Sequence, residues 1–332
     1  MRVAENLNLA LHELFAADPE LMLLGEDVGD PYGGAFKVTK GLSTRWPDRV
    51  LSTPLSEGGI VGVGAGLALT GTPAIVEIMF GDFVALAFDQ IANFASKSVS
   101  MYGHERPMPL TVRCPTGGGR GYGPTHSQSL QKHFIGLPGL ALYETTPLHD
   151  NRDLLARVVG AGEPAVLFED KVLYTQRVLT DGVVDDLFSY DLLTPDVARV
   201  FVDDPETYDC VVITTGGVAH RALAAARSLL LEEEITCLVL VPAKLHPFDV
   251  GPLLPALRGA KTVVVAEEST AGGTWGAEVA HRLHRSLWTT LRGPVALAHS
   301  ADSVIPTAPH LEAEVLVGAS RIHRAVVEAV RG

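Results

Sequence analysis

The sequence predicts an α/β protein with two doubly wound domains and mainly parallel sheets. Short, nearly continuous apolar runs alternate with helical patterns along most of the chain. Such alternation is typical of βα units whose parallel sheet is covered on both faces. The length of 332 residues corresponds to about two ordinary domains, and a hydrophobic content of 47% is ample for two cores.

The first half alternates from its beginning. Apolar residues between positions 7 and 15 recur at helical spacing, and Asp18-Pro19 ends that helix. Ser56 can cap a further helix that starts at Glu57 and continues to residue 69. The remaining predictions are strands over 21–24, 50–53, 74–79, 110–113, 140–143 and 165–168, and helices over 83–98 and 150–159.

The periodicity fades after residue 172 and returns after residue 205. We interpret residues 176–205 as a linker between a domain of residues 1–175 and a domain of residues 206–332. The second domain is predicted to contain strands over 211–214, 236–241 and 262–266, and helices over 218–231, 250–257 and 273–287.

Charge and hydropathy exclude several kinds of partner. The formal net charge of −13 opposes binding to nucleic acid or to anionic membranes, which require basic surfaces. The longest apolar stretch, residues 60–80, is interrupted by Gly71, Pro73 and Glu77, so a membrane span is not predicted.

Cysteine usage and the N-terminus predict a cytoplasmic protein. Cys114, Cys210 and Cys237 are far apart and form no CxxC pair, which fits a reducing compartment. Residues 1–17 have an amphipathic pattern without the apolar core of a signal peptide.

Common phosphate-binding and hydrolase motifs are missing. Gly62, Gly64 and Gly66 suggest a dinucleotide fingerprint, G-x-G-x-x-G. The fingerprint fails because position 67, where it requires glycine, is Leu67. Neither a P-loop nor a zincin or serine-hydrolase motif is present. We therefore interpret the glycines between positions 58 and 66 as packing residues of a helix.

Glu57 is the most informative residue because it lies where a strand ends and a helix begins. In a parallel sheet this is the carboxyl edge, where α/β proteins bind ligands. The alternative is a surface glutamate stabilised by the helix dipole. The apolar turns that follow favour a buried helix, in which burial raises the pKa of Glu57 and the dipole lowers it; the sequence leaves that balance open.

Six motifs occur in an order and at a spacing that identify a family. They are Gly25-Glu26-Asp27-Val28, Gly33-Gly34-Ala35-Phe36-Lys37-Val38-Thr39, Thr53-Pro54-Leu55-Ser56-Glu57, Glu77-Ile78 through Asp82-Phe83, Phe88-Asp89-Gln90-Ile91 and His126-Ser127-Gln128. With them the chain resembles the β subunit of thiamine-diphosphate-dependent 2-oxoacid dehydrogenases, the decarboxylating component of pyruvate, branched-chain and acetoin complexes. The resemblance covers nearly the whole chain and implies a pyrimidine-type thiamine-diphosphate-binding domain followed by a transketolase C-terminal-like domain.

The resemblance also implies roles for five residues. Glu57 corresponds to the carboxylate that bonds N1′ of the cofactor's aminopyrimidine and so promotes loss of the thiazolium C2 proton. Met79 and Phe83 match positions that pack near the pyrimidine, and Leu55 matches one that contributes backbone and apolar contact. For Met79 and Phe83 taken alone, ordinary core packing is the alternative. His126, on a loop rich in glycine and proline, matches a histidine on the reactive side of the cofactor.

His126 could stabilise the substrate carboxylate, transfer protons near neutral pH or help to pass the acyl group to a lipoyl arm. The alternative is an incidental loop histidine. The family often carries a second histidine further along, and Gly136 lies in the corresponding stretch here. Handling of the acyl acceptor can therefore differ from that of relatives.

Metal-binding motifs are incomplete in this chain. Thiamine enzymes hold the diphosphate through Mg²⁺ with a GDG motif and a later Asn, whereas the nearest string here is Gly81-Asp82-Phe83. The resemblance therefore implies an α subunit that binds Mg²⁺ and the diphosphate, in an α₂β₂ heterotetramer. Several relatives also bind K⁺, but Ala161 stands in place of their Asp, so a K⁺ site is doubtful.

Three functions remain open at this point. The first is the β subunit of a 2-oxoacid dehydrogenase that acts on a small 2-oxoacid with an α subunit and passes the acyl group to a lipoyl-bearing acyltransferase. The second is the β subunit of an acetoin-type or acyloin-forming carboligase. The third is a non-catalytic assembly subunit whose site has decayed.

Overall fold

Two sheets and the helices that cover them form the chain in a computed structural model, which describes residues 1–103 and 105–332. The strands are β1 Met22–Gly25, β2 Val50–Ser52, β3 Ala74–Glu77, β4 Leu110–Thr116, β5 Ala141–Glu144, β6 Ala165–Asp170, β7 Ser189–Thr194, β8 Val197–Phe201, β9 Cys210–Thr214, β10 Cys237–Pro242, β11 Lys244–His246, β12 Val263–Thr270 and β13 Ala296–Ser300. The α-helices are α1 Val3–Ala17, α2 Leu42–Arg45, α3 Glu57–Leu69, α4 Ser96–Ser98, α5 Asn151–Gly160, α6 Ala219–Glu233, α7 Leu254–Leu257, α8 Trp275–Leu287, α9 Pro309–Val315 and α10 Ala319–Arg331. The predicted α/β class with mainly parallel sheets is confirmed.

The first sheet places the carboxyl ends of its strands side by side. Its strand order is β11-β5-β6-β4-β3-β1-β2. Neighbouring strands run parallel, except that β11 is antiparallel to β5. In this register Gly25 lies opposite both Ser52 and Glu77, and Glu77 lies opposite Arg113. The residues at and just after these strand ends therefore share one edge of the sheet.

The second sheet includes part of the predicted linker. Its order is β13-β12-β9-β10-β8-β7, with β7 and β8 antiparallel to their neighbours. Both of these strands fall within residues 176–205, so that segment contains an ordered sheet edge. The sequence signal is weak there because β7 is only partly buried and alternates incompletely.

The second half of the chain also contributes to the first sheet. The strand β11 pairs antiparallel with β5, where Lys244 lies opposite Tyr143 and His246 opposite Leu142. The first sheet is therefore completed by a strand from beyond residue 205.

The long helix predicted over residues 83–98 is present as a helical segment, but its geometry changes along its length. The segment begins as a 3₁₀ helix, Gly81–Ala87, continues as a π-helix, Gln90–Ala95, and ends in α4. Apolar spacing of three or four residues predicts a helical segment, but it does not fix the number of residues per turn. The elements β13, α9 and α10 follow the last helix that the sequence predicts.

The helix α3 packs closely on the first sheet. A Cβ atom on Gly64 would lie 2.5 Å from Cγ2 of Val76, so only glycine permits this approach. The interpretation of the glycines in this segment as packing residues is confirmed at this position. Within the described residues, the helices are all too short or too polar to cross a membrane, and the three cysteines are buried free thiols.

Candidate active site

Glu57 is the first residue of α3 and lies at the carboxyl edge of the first sheet. Only 9% of its surface is exposed, which confirms the predicted burial. Its carboxylate nevertheless makes no hydrogen bond or ion pair with any described residue. Because buried carboxylates are normally paired or hydrogen-bonded, Glu57 is available to a donor from outside this chain.

A second buried carboxylate accompanies Glu57. Glu26 directly follows β1 and is 5% exposed, and its buried Oε1 has no hydrogen-bond partner among the residues that the structure describes. Burial raises the pKa of Glu26, and the negative charges of Glu57 and then Asp27 raise it further. Our sequence reasoning missed this residue, although its position just after a strand was a usable signal.

A buried charge network fixes the loop that follows Glu26. Arg113 donates from Nε and Nη2 to the two carboxylate oxygens of Glu169, at 2.7 and 2.8 Å, and from Nη1 to Glu77 at 2.9 Å. The Tyr174 hydroxyl donates to Glu169 at 2.6 Å. The other oxygen of Glu77 accepts the backbone N–H of Ala35 at 2.7 Å. The strand ends therefore hold the loop at Ala35 in place.

This loop forms one wall of a cavity of about 610 Å³. Its lining is mainly apolar and aromatic, and consists of Pro31, Tyr32, Gly34, Ala35, Phe36, Lys37, Met79, Phe80 and Tyr122. Cavities of this size and character are typical binding sites for small molecules.

His126 lies next to this cavity and contacts aromatic rings on two sides. Its half-buried ring meets Phe80 and Phe83 edge to face, with centroid distances of 4.8 and 5.1 Å. The Nδ1 atom lies 3.0 Å from the Thr125 hydroxyl, and Nε2 has no partner among the described residues. The aromatic contacts hold the ring, and Nε2 is free to exchange a proton with a bound molecule.

The structure brings together some of the predicted site residues. Met79 lines the cavity and Phe83 touches His126. Glu57 lies on α3, whose first turn packs against the 3₁₀ helix that carries Phe83. A Cβ on Gly58 would lie only 3.2 Å from the carbonyl of Leu86 in that helix. Leu55 is 81% exposed and lines no part of the cavity. Their roles toward a cofactor stay predictions.

Two further residues support the segment around His126. Asp82 accepts hydrogen bonds from the backbone and side-chain nitrogens of Gln128, at 3.2 and 2.8 Å. Lys171 is fully buried with an unpartnered Nζ, and burial lowers its pKa to about 8 against the opposing charge of Asp82. Neither was predicted, because a sequence does not show which strand end faces which loop.

Residues 117–123, which we call the glycine loop, connect β4 to the segment of His126. Glu268 at the end of β12 accepts the N–H of Gly118 at 2.7 Å, and Glu312 on α9 accepts the N–H groups of Gly119 and Gly121 at 2.9 and 3.0 Å. The C-terminal half of the chain therefore contacts the candidate site through this loop.

The described residues contain no group of three or more His, Cys, Asp or Glu side chains arranged to hold a metal ion. Near the candidate site, the carboxylate of Glu57 has, among the described residues, only that of Glu26 beside it, and the carboxylate of Glu77 is paired with Arg113. The chemistry that this site offers is that of a free carboxylate, an imidazole and an aromatic wall.

Family models match both halves of the chain. The model of the transketolase pyrimidine binding domain matches residues 1–176, and that of the transketolase C-terminal domain matches residues 201–322. In three dimensions the chain is similar to a protein described as a split gene transketolase, inactive beta4 tetramer, with a TM-score of 0.73, 20% sequence identity and coverage of 100% of this chain and 99% of the other. At that identity the likeness concerns the fold alone.

Several relatives are similar over almost their whole length. The pyruvate dehydrogenase E1 component subunit beta of Staurastrum punctulatum is 32% identical over 98% of this chain and 96% of its own. The mitochondrial subunit beta-2 of the same component from Oryza sativa subsp. japonica is 32% identical over 99% and 86%. The acetoin:2,6-dichlorophenolindophenol oxidoreductase subunit beta of Cupriavidus necator is 28% identical over 98% and 96%.

Proposed function

Because the chain belongs to the family of β subunits of 2-oxoacid dehydrogenase decarboxylating components, we propose that it forms such a component together with an α subunit. The component would decarboxylate a small 2-oxoacid oxidatively and pass the acyl group to a lipoyl-bearing acyltransferase. Members of this family are thiamine-diphosphate-dependent oxidoreductases.

The observation that carries the proposal is the state of Glu57. A carboxylate that is 9% exposed and has no hydrogen-bond partner among the described residues fits a nitrogen heterocycle that donates a hydrogen bond. Glu57 would therefore hold the aminopyrimidine at N1′. Burial and the charge of Glu57 raise the pKa of Glu26, so Glu26 keeps its proton to higher pH than an ordinary carboxyl, which reduces repulsion between the two side chains.

The other predicted residues complete this half of a site. When bound, thiamine diphosphate supplies the electron sink that cleavage of a 2-oxoacid requires. Met79 and Phe83 would pack against the pyrimidine, and Leu55 would contact it when the partner subunit covers its exposed side chain. His126 would present Nε2 to the substrate, where it would bind the substrate carboxylate or move a proton; its contacts with Phe80 and Thr125 support this role because they leave Nε2 unused.

An α subunit is supported by an exposed apolar surface around α3, which we call the open flank. Its side chains are between 37% and 81% exposed, and they are Leu51, Leu55, Val63, Leu86 and Phe88. Large exposed apolar side chains that cluster in this way mark protein interaction sites. We propose that the α subunit binds here, in an α₂β₂ heterotetramer, and that it holds Mg²⁺ and the diphosphate.

A reconstitution experiment tests the proposal. We expect the purified chain to be inactive alone, and the chain mixed with its α subunit, thiamine diphosphate and Mg²⁺ to reduce a dye when a 2-oxoacid is added. Glu57→Gln should lower kcat by about a hundredfold or more, since it removes the negative charge while it preserves size. Glu20→Gln, at an exposed position on the first domain, is the matched control and should leave kcat unchanged.

Three outcomes would contradict the proposal. Full activity of the chain without a partner would remove the need for an α subunit. Unchanged activity of Glu57→Gln would remove its assigned role. A heterotetramer that binds thiamine diphosphate but turns over no 2-oxoacid and no acetoin would favour a non-catalytic assembly subunit.

An acetoin-type enzyme is the second candidate, because the relative from Cupriavidus necator acts on acetoin by its name. Pyruvate, a branched-chain 2-oxoacid and acetoin should be compared as substrates in the same dye assay. Preference for acetoin, or formation of an acyloin instead of acyl-lipoamide, would select this candidate over the first.

The compartment is also a proposal. The buried free thiols of Cys114, Cys210 and Cys237 fit a reducing cytoplasm, whereas the Oryza sativa relative is named as mitochondrial. Cell fractionation with an antibody to the chain tests a cytoplasmic location, and recovery in an organelle fraction would contradict it.

A further inference from the structure

The glycine loop depends on acceptors from outside itself. Four of its residues, at positions 117, 119, 121 and 123, are glycines with φ between 69° and 86°. Within the loop and its flanks, the backbone bonds are long: Gly117 to the carbonyl of Gln128 at 3.3 Å, and His126 to that of Gly123 at 3.4 Å. A segment with this conformational freedom does not hold one shape without further partners.

The segment of residues 307–316 supplies those partners along the length of the loop. A Cβ on Gly118 would lie 2.5 Å from Cδ1 of Leu316, and a Cβ on Gly123 would lie 2.7 Å from Oγ1 of Thr307. Between these contacts, both oxygens of the Glu312 carboxylate accept loop N–H groups. These contacts shape the loop together with two others: the N–H of Gly118 donates to Glu268, and the guanidinium of Arg120 donates to the carbonyl of Lys171.

Glu312 and Glu268 differ in what else they bind. Glu268 also bonds Arg221 and the hydroxyl of Ser129, and these partners hold its pKa below the ordinary value although burial alone would raise it. Glu312 is 3% exposed, and within the described part of the chain its carboxylate bonds only the N–H groups of Gly119 and Gly121. A buried carboxylate without a cation is costly unless hydrogen bonds satisfy it, and for Glu312 the two N–H groups of the loop make those bonds.

The loop leads directly to the reactive end of the candidate site. Tyr122 lies within it and meets the ring of Phe80 edge to face at 5.9 Å, and Phe80 in turn contacts His126 at 4.8 Å. A shift at Gly121 would therefore move Tyr122 and change the contacts that orient the imidazole.

We propose that Glu312 is a positioning residue for His126, and that the C-terminal half controls the acyl-handling side of the site through the glycine loop. This inference rests on the proposed function, in which His126 acts on the substrate. It assigns no contact between Glu312 and substrate or cofactor. The effect passes from the carboxylate to two backbone N–H groups and then along the loop to the imidazole.

The experiment uses the heterotetramer with thiamine diphosphate, Mg²⁺ and the 2-oxoacid that gives the fastest dye reduction. Glu312→Ala removes both acceptor oxygens and should lower kcat about ten- to a hundredfold, as expected for a small misplacement of a reacting group. Glu312→Gln keeps one acceptor oxygen and should fall between wild type and Glu312→Ala. Glu314→Ala, at an exposed position of the same helix, is the matched control and should leave kcat unchanged.

Two further readouts separate positioning from general damage. In a His126→Ala background, Glu312→Ala should cause no additional loss of kcat, since both changes act through one group. The affinity for thiamine diphosphate, measured by calorimetry, should stay within about twofold, because Glu57 lies on a different element. Multiplicative loss of kcat in the double variant, or cofactor affinity that falls as far as kcat, would overturn the inference.

Hydrogen exchange tests the loop without any need for activity. Mass spectrometry of peptides that cover residues 117–129 should show at least tenfold faster exchange in Glu312→Ala and near wild-type exchange in Glu314→Ala. Equal protection in Glu312→Ala overturns the inference even if the heterotetramer is inactive. If wild type is active and His126→Ala slows it while Glu312→Ala does not, the inference fails and the proposed function stands.

Discussion

On one side of the candidate site, the glycine loop donates its N–H groups to carboxylates of the same chain. On the side of the open flank, the carboxylates of Glu57 and Glu26 have no hydrogen-bond partner among the described residues. The open flank also exposes apolar side chains such as Leu55 and Leu86, at 81% and 66%. The chain therefore supplies the hydrogen-bond partners on the side of the site that its own two halves form. It leaves incomplete the side where a second chain would bind.

The helices of the two regions show the same difference. In α10 the buried positions Ile322 and Val326 lie on one stripe of a helix that also carries charged residues such as Arg324 and Glu328, as expected for a surface helix. The helix α3 is apolar on nearly every position, yet Val63 is 56% exposed. A helix that is apolar all round is normally buried all round, so the exposed side of α3 is expected to be covered in the assembled protein.

The largest change in stability should follow from removal of the buried cation Arg113, whose hydrogen bonds and ion pairs are all within the chain. Arg113→Met leaves the carboxylates of Glu77 and Glu169 buried without their cation. We expect a loss of stability of about 3–5 kcal/mol in urea unfolding followed by circular dichroism. Arg157→Ala is the control, because its ion pair with Asp196 is between 36% and 40% exposed and should matter by less than about 1 kcal/mol. Similar losses in both variants would contradict the comparison.

On the open flank, a charge should affect assembly more than folding. Val63→Asp adds a carboxylate to an exposed position of α3 and should change the free energy of unfolding of the isolated chain by less than about 1 kcal/mol. Desolvation of that charge in an interface should raise the Kd for the α subunit at least tenfold, or about 1.4 kcal/mol. Leu231→Asp, at a 65% exposed position of α6, is the control for sedimentation measurements of assembly. Equal assembly of Val63→Asp and wild type would place the interface elsewhere.

The contact between the two halves should make stability depend on pH. Burial raises the pKa of Glu144 to about 7, against the opposing bond from the N–H of Gly217 at 2.6 Å. Between about pH 4.5 and 7 the folded state then binds more protons than the unfolded state, so the contribution of Glu144 is fully present below pH 4.5 and is lost as the pH rises through 7.

Glu144→Gln removes this titration and should reduce the fall in stability between pH 5 and 8 by on the order of 1 kcal/mol. The substituted amide keeps an acceptor for Gly217. In wild type Nε2 of Gln131 donates to the other oxygen of Glu144 at 2.9 Å, so the Gln131 amide must turn over to present Oε1, which has no partner among the described residues, to the new NH₂ group. Urea unfolding at pH 5 and pH 8 measures the effect. Identical pH dependence in the variant and wild type would rule out Glu144 as its source.

The smallest effect is expected at Glu26, where no hydrogen bond is lost. Glu26→Gln removes a buried charge with a raised pKa, and its stability at pH 8 should equal or slightly exceed that of wild type, within about 1 kcal/mol. Glu77→Gln, at the end of the neighbouring strand β3, loses its charge pair with Arg113 and should be clearly less stable. A large loss in Glu26→Gln would show that Glu26 has a partner on the open flank even in the isolated chain.

Local patterns predicted much of the first half, because its strands are continuous apolar runs and its helices have capped starts. The burial of Glu57 at the start of α3 followed from the apolar turns after it. The π-helical turn after Ala87 could not be predicted in this way, since apolar spacing fits several helical geometries.

Contacts between distant segments were beyond prediction for a different reason. Glu312 lies 193 residues from Gly119, and the groups that it binds are backbone N–H groups, which leave no mark in the sequence. Arg113 reads as one polar residue within a strand, and only the sheet order reveals that it stands between Glu77 and Glu169. Sequence reasoning therefore proposes residues for a cofactor, whereas the residues that hold the site in shape appear only in the folded structure.

The pairing of β11 with β5 affects how the protein behaves during synthesis and proteolysis. Until residues 244–246 have left the ribosome, β5 is an unpaired sheet edge, and such edges recruit other strands. A fragment that ends in the region of residues 176–205 would keep that edge exposed. We therefore expect it to aggregate, however well its own core packs, and the two halves to behave as one unit in synthesis and in proteolysis.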